Sequence, residues 1–382
     1  MSERTIYLDH AATTALDPRV LEAMIPYFTT EYGNASSIYT LGRHAMQAID
    51  SAREQVAEIL GSRPTEVTFT GCGSESDNLA IKGMAYASQK KGNHLITTQI
   101  EHHAVLHTCQ YLERFGFKTT YLSVDDYGRV NPDDVARAIT DQTILVSVMY
   151  ANNEIGTIEP VAEIGRICRA KKVPFHIDAV QAGGALPIVV ATLNADLLSL
   201  SAHKFYGPKG IGILYTRQGM RILPQLQGGS QERGRRAGTE NVAGIVGAAT
   251  ALRLAYEELP EVTPRLIALR DRLIEAILRI PASRLTGHPT GRLPNNASFC
   301  FEGVEGESIL LNLDLLSIAA STGSACTSGS VDPSHVLIAL GLPPEWSHGS
   351  LRLTLGKENT EEDVETVISV LPGIIEKLRG LR

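Results

Sequence analysis

Between roughly residues 65 and 215, apolar and β-branched runs alternate with helix-sized stretches: TEVTFT, HLITT, KTTYLSV, TILVSVMYAN, PFHIDA, DLLSLS and GIGILY. Runs this apolar predict strands buried on both faces of a largely parallel sheet, and so an α/β core. Punctuation agrees: Asp17-Pro18 and Asn131-Pro132 each set a capping side chain before a proline at the first helical position, and Gly61 closes the helix of AREQVAEIL. After about Val242 the pattern changes to long helices, one opening at Thr360 with acidic residues in its first turn, around the short strands NASFCF and SLRLTL. That predicts a second, smaller α+β domain. No internal repeat is visible, and the one Gly/Ser/Thr-rich stretch, STGSACTSGS at 321–330, holds Cys326.

With 382 residues, 43% of them hydrophobic, the chain can bury one large core and a second beside it. The amino terminus MSERTIYLDHAATT is polar where a secretory leader needs an apolar stretch, so a cytoplasmic protein is expected. SILLNLDLLSIAAS is broken by Asn312 and Asp314 and falls short of the roughly 20 residues of a membrane helix. A net charge of −7 argues against direct nucleic-acid binding. Arg233, Arg235 and Arg236 are a local exception, read either as a solvated turn or as groups near a bound phosphate. The five cysteines, Cys72, Cys109, Cys168, Cys300 and Cys326, form no C-x-x-C pair and no metal-finger cluster, which predicts reduced thiols and no metal.

Several segments carry candidate chemistry. In FTGCGSESDNLAIKGMA a strand gives way to a glycine-containing turn and a helix beginning near Ser74. Such a helix start suits an anion, although Ser74 also reads as an ordinary cap. HIDAVQ places Asp178 and Gln181 at the carboxyl end of a buried strand, where ligands of α/β sheets gather. A buried carboxylate there needs a partner, either the protonated ring nitrogen of pyridoxal phosphate or a structural salt bridge or cap. SLSAHKFYGPKG puts Ser201, His203 and Lys204 at the same edge, and a lysine leaving a buried strand is placed to be desolvated and become a Schiff-base former. QIEHHAVL offers His102 and His103, one to lie on an aromatic cofactor and pass protons, the other an ordinary surface histidine. Cys326, alone among the cysteines in having small polar neighbours on both sides, is expected on an exposed, mobile loop where its thiol is used.

Taken in order, YLDHAATT, GNASS, TGCGSESDN, EHHAVL, NNEIGTIEP, HIDAVQ, SAHKFYGPKGIG, QERGRRAGTEN, STGSACTSGS and LRLTLG resemble the cysteine desulfurases of the NifS/IscS type, almost end to end. The resemblance implies a fold-type I pyridoxal 5'-phosphate-dependent transferase: a large domain, residues 15–257, with a mainly parallel seven-stranded sheet, and a small α+β domain of residues 1–14 and 258–382 carrying the catalytic-cysteine loop at about 321–334. It implies that Lys204 binds the cofactor through its amine, Asp178 pairs with the ring nitrogen, Gln181 bonds the ring hydroxyl, and His102 stacks on the ring and shuttles protons. Gly73, Ser74, Ser201 and His203 are then expected at the phosphate, with Thr239 reaching the phosphate of the other subunit of a homodimer. Asn153 and Arg352, and more weakly Asn34, are expected to hold the carboxylate of L-cysteine. Cys326 is expected to take its sulfur as a persulfide, releasing alanine and passing the sulfur to an acceptor such as an iron–sulfur scaffold. Cys72 stands where relatives commonly have glycine, Ser74 replaces the usual threonine and Ala35 a common proline. A selenocysteine lyase or another enzyme of this fold, and a non-catalytic docking protein of a sulfur-transfer assembly, remain open on the residues alone.

Overall fold

The computed structural model describes residues 4–323 and 333–381. The chain enters through a two-residue strand, β1 (Ile6–Tyr7), and then builds a seven-stranded sheet from β2 (Val67–Thr70), β3 (His94–Thr98), β4 (Lys118–Leu122), β5 (Thr143–Met149), β6 (Phe175–Asp178), β7 (Leu197–Ser201) and β8 (Gly212–Thr216). Each lies within or largely overlaps one of the apolar runs read from the sequence. Every residue of β5, β6 and β7 is buried, the state of strands covered by helices on both faces.

The strand order is β2-β8-β7-β6-β5-β3-β4. Only β8 runs against its neighbours, pairing antiparallel with β2 and β7, while β3–β4, β3–β5, β5–β6 and β6–β7 are parallel. The carboxyl ends of β2, β3, β5, β6 and β7 therefore point to one edge. In an open α/β sheet that edge is where ligand groups collect, because each strand there hands over to a loop free of ladder bonds.

A smaller antiparallel sheet joins β9 (Ser283–Leu285), β10 (Asn296–Phe301) and β12 (Ser350–Thr354) in the order β12-β10-β9, and β1 pairs in parallel with β11 (Ile318–Ala319). The helix Glu361–Gly380 opens on Thr360 with a reciprocal capping box to Asp363, at the start read from its acidic first turn. Asp17, Asn131 and Gly61 also cap as expected, Gly61 in the left-handed conformation at φ 64°. One 36-residue helix, Val242–Ile277, serves both halves. Its first turns pack Ala248 and Leu252 with Ile177 and Phe205 of the large core, and its last turns pack Leu269 and Leu273 with Phe299 and Leu353 of the small one. No helix among the described residues is long and apolar enough to cross a membrane.

The arginine-rich loop is anchored inward by Glu232 while Arg233 stays exposed, and none of its arginines lines the sheet-edge cavity. Glu232 turns inward and pairs bidentately with Arg53 at 2.7 and 2.8 Å, while also accepting from Phe69 N–H at 2.9 Å. Arg235 donates to the Thr65 carbonyl, and Arg236 holds Glu75 of the helix Gly73–Ser88. Glu232 and Arg233 take positive φ values of 47° and 58°, a conformation costing about 1–2 kcal/mol per residue. Replacing Glu232 by alanine strands the buried Arg53 guanidinium, so Glu232→Ala should lose about 3–5 kcal/mol of unfolding free energy. Urea titration checks it; a loss below about 1 kcal/mol would class the pair with exposed ones.

Candidate active site

A cavity of about 330 Å³ opens at the shared strand edge. Each strand contributes from its carboxyl end: β2 through Cys72, Gly73 and Ser74, β3 through His102, β5 through Asn153, β6 through Asp178 and Gln181, and β7 through Ser201, His203 and Lys204. Arg352 of β12 closes the opposite side. Ten residues expected from the sequence thus line one space, although they come from positions 73 to 352.

The helix Gly73–Ser88 starts one residue before Ser74 and is capped by Cys72, whose Sγ accepts from Glu75 N–H at 3.4 Å. Ser74 is therefore a first-turn residue and not the cap. A Cβ on Gly73 would stand 2.9 Å from Val180 and 3.1 Å from the Cβ of Ser201, so only glycine lets the helix come this close to β7. Lys204 Nζ donates to the carbonyls of Ala11 and Ala12 at 2.5 and 2.8 Å, and Gln181 Nε2 donates to the same Ala11 carbonyl at 2.9 Å. The N-terminal segment thereby holds the lysine from behind. Arg352 donates through Nη1 to the Asn153 carbonyl at 2.9 Å and through Nη2 to Asp9 Oδ1 at 2.8 Å. Its buried Nε has no hydrogen-bond partner among the described residues.

Burial dominates the electrostatics. It raises the Asp178 carboxyl to about 6, against a Val180 N–H bond and the Lys204 charge, which both favour ionisation. Asp77 is pushed well above the usual range, first by burial and then by the Asp178 charge. The imidazole of His102 is lowered to about 4 by burial and then by Lys204, and that of His203 likewise, so both rings are neutral at physiological pH. His102 Nδ1 accepts from Ala104 N–H at 3.1 Å, which places the ring proton on Nε2. Behind the wall, His176 bridges the hydroxyls of Ser147 and Ser199 at 2.8 and 3.0 Å and lies 3.6 Å from Asp77. Burial lowers it to about 3, so it is neutral and not an ion-pair partner.

These groups fit pyridoxal phosphate. Ser201 is 2% exposed, and its Oγ has no hydrogen-bond partner among the described residues, as suits a site for a ligand oxygen beside a helix N-terminus. Asp178 offers a buried carboxyl that would suit a cationic ring nitrogen, and Lys204 offers an amine. Asn34 and Thr239 lie elsewhere. Asn34 is exposed, its Oδ1 accepting from Ser36 N–H; Thr239 is exposed, outside the cavity; and Cys326 lies outside the described residues. His103 also stays off the cavity, against His107 and His335 at ring separations of 4.8 and 4.7 Å. The sequence reading missed Asp77 and Asp9. Asp77 was detectable, because it stands one helical turn after Gly73 and so on the same face. No group of three potential metal ligands occurs among the described residues.

Asp178 supplies a pH test. Its folded pKa is raised, so the neutral acid is favoured by folding: stability is fully present below the unfolded value of 3.8 and lost as pH rises through about 6. In cofactor-free protein Asp178→Asn should therefore raise the melting temperature at pH 8 more than at pH 5. An equal effect at both values would show that the carboxyl is not desolvated.

The model of the aminotransferase class-V family matches residues 6–367. A cysteine desulfurase IscS from Clostridium botulinum is 56% identical over 381 residues, covering 99% of this chain and 96% of the relative. One from Methanosarcina thermophila is 56% identical over 378 residues, 99% of this chain and 94% of the relative. Among solved structures, a NifS-like protein superposes with a TM-score of 0.93 at 40% identity, covering 98% of this chain and all of the other. The apo cysteine desulfurase of Thermococcus onnurineus NA1 does so with a TM-score of 0.87 at 28% identity, covering 98% and 95%. Fold, cavity and relatives agree: the chain belongs to the aminotransferase class-V family and is a pyridoxal-phosphate-dependent cysteine desulfurase.

Proposed function

We propose that the cavity at the carboxyl edge of β2, β3, β5, β6 and β7 is where the chain desulfurates L-cysteine, with Cys326 taking the sulfur. The observation that carries the reading is the meeting of Lys204, Asp178 and the Ser201 hydroxyl, which has no hydrogen-bond partner among the described residues, around one space. Gly73, Ser74, Ser201 and His203 hold the phosphate of the cofactor, Asp178 its ring nitrogen, Gln181 its ring hydroxyl and His102 its ring face. Bound there, the cofactor supplies an electron sink for the α-carbon of the amino acid.

The remaining work falls to side chains. Arg352, steadied by Asp9 and the Asn153 carbonyl, keeps its Nε for the substrate carboxylate, and Asn153 lines the same wall. Lys204, between the Ala11 and Ala12 carbonyls, takes and returns a proton at the α-carbon. His102, neutral and carrying its proton on Nε2, handles a second proton. The Cys326 thiolate attacks the substrate sulfur, the carbon–sulfur bond breaks, the carbon gains a proton, and alanine leaves with the sulfur kept as a persulfide.

The active form is a homodimer in which Thr239 reaches the phosphate of the partner's site, a role supported by its exposed place away from its own cavity. The persulfide sulfur passes in the cytoplasm to an acceptor protein such as an iron–sulfur scaffold. Residues 15–257 form the cofactor domain, and residues 1–14 with 258–382 the small domain, a division supported by the two cores that share the helix Val242–Ile277.

Cys326→Ala should keep the visible absorption of bound cofactor yet lose sulfide release from L-cysteine by at least about 100-fold, and near-normal release would remove Cys326 from the reaction. Arg352→Gln should raise KM for L-cysteine by about tenfold or more with a smaller change in kcat. An unchanged KM would place the carboxylate elsewhere.

A further inference from the structure

The helix that begins the phosphate cradle opens on a thiol. Cys72 is its N-cap in extended backbone, φ −174° and ψ 172°, a conformation any residue adopts, so the position needs no glycine and can carry a side chain. Cys72 is exposed and lines the cavity. Cys109, Cys168 and Cys300 differ: they are buried, and burial pushes each thiol up to about 12, where it is inert.

A second observation marks a ligand at the same place. Ser201 Oγ, buried and without a hydrogen-bond partner among the described residues, lies 3.6 Å from where a Cβ on Gly73 would stand, next in the chain to Cys72. A buried hydroxyl in this state is open to a ligand oxygen, and first-turn N–H groups of a helix favour an anion. Cys72, Gly73, Ser74 and Ser201 line the same cavity, so a group added to the thiol would compete with an anion for that space.

We propose that Cys72 is a modification site for small disulfides of the cystine class, and that its capping competes with phosphate-bearing ligands for the cradle. The proposal rests on the reading of this cradle as the seat of the cofactor phosphate. Cystine is the oxidised form of the enzyme's own substrate, so the oxidant accompanies L-cysteine. The Cys72 thiolate attacks one cystine sulfur and forms a new S–S bond with that half. The cystine S–S bond breaks, and the other half leaves as L-cysteine with the proton Cys72 gave up. A thiol reductant runs the exchange backwards. Under oxidising conditions newly made enzyme is thereby held free of cofactor.

The test uses full-length cofactor-free protein carrying Cys326→Ser, treated with L-cystine and mapped by peptide mass. Cys72 should gain a cysteinyl group at least about tenfold faster than Cys109, Cys168 or Cys300, and pyridoxal phosphate or inorganic phosphate should slow it by about tenfold. Capped protein should fail to develop visible absorption with pyridoxal phosphate until a thiol reductant is added, and a further Cys72→Ser change should make uptake indifferent to cystine. Labelling of Cys72 no faster than that of the buried thiols, or normal cofactor uptake by capped protein, overturns the proposal and leaves the cradle standing. Cofactor binding by uncapped Ser201→Ala as tight as that of its parent removes the cradle reading and the proposal with it.

Discussion

Asp178 stands at the end of β6 with its carboxyl shut away from water, and burial raises it to about 6 even with Lys204 nearby. Isolated, such a group is a burden on the fold, since removing a charge from water carries a penalty of several kcal/mol. The surroundings are arranged around that burden. Val180 N–H bonds one carboxyl oxygen, Asp77 is driven towards its neutral form, and His102, His176 and His203 are kept uncharged. What remains is a site of buried acid, amine and neutral imidazoles, organised for a cationic aromatic nitrogen before one arrives. Preorganisation of this kind is how a protein makes one charge distribution far more stable than its alternatives.

Holding Lys204 beside that acid takes both halves of the molecule. The segment after β1 runs from Leu8 in the small core to Ala11 and Ala12, whose carbonyls accept from Lys204, and then to Thr14, which bonds the His203 carbonyl through N–H and hydroxyl. Asp9, between them, pairs with Arg352 of β12. Further along, Lys357 follows β12 and reaches Asp17 at 2.5 Å and Glu258 at 3.2 Å, while lying over the Tyr206 ring at 4.5 Å. The Lys204 amine and the Arg352 guanidinium are thus positioned by one strap, and a shift of the small core would be felt at both.

Much of this was legible in the chain. All seven strands were legible as β-rich runs, six of them buried along most of their length because removal from water acts on every position of such a strand alike, while the edge strand β4 buries only Leu122. Caps at Asp17, Asn131, Thr360 and Gly61 were equally plain, since capping depends on a few consecutive residues. Most of the residues expected to hold the cofactor follow strand ends, and the resemblance to a known family named them. Asp77 escaped notice because its chemistry depends on the helix face it shares with Gly73, and Asp9 because its partner lies 343 positions away. The arginine loop was read for its arginines alone. Its decisive residue is Glu232, whose inward turn depends on Arg53 lying opposite.

By itself the sequence determined the class of core, the strand and helix succession, the set of reactive side chains and the family they resemble, because hydrophobic pattern and capping are properties of neighbouring residues. Only the tertiary structure decided which groups meet and in what state of charge. It turned Cys72 into the cap and rim of the cavity, left Ser201 Oγ without a protein partner among the described residues, and set Asp178 and His102 on opposite sides of their usual pKa values. Those outcomes follow from desolvation and from contacts between segments far apart in the chain, neither of which is a property of any local stretch.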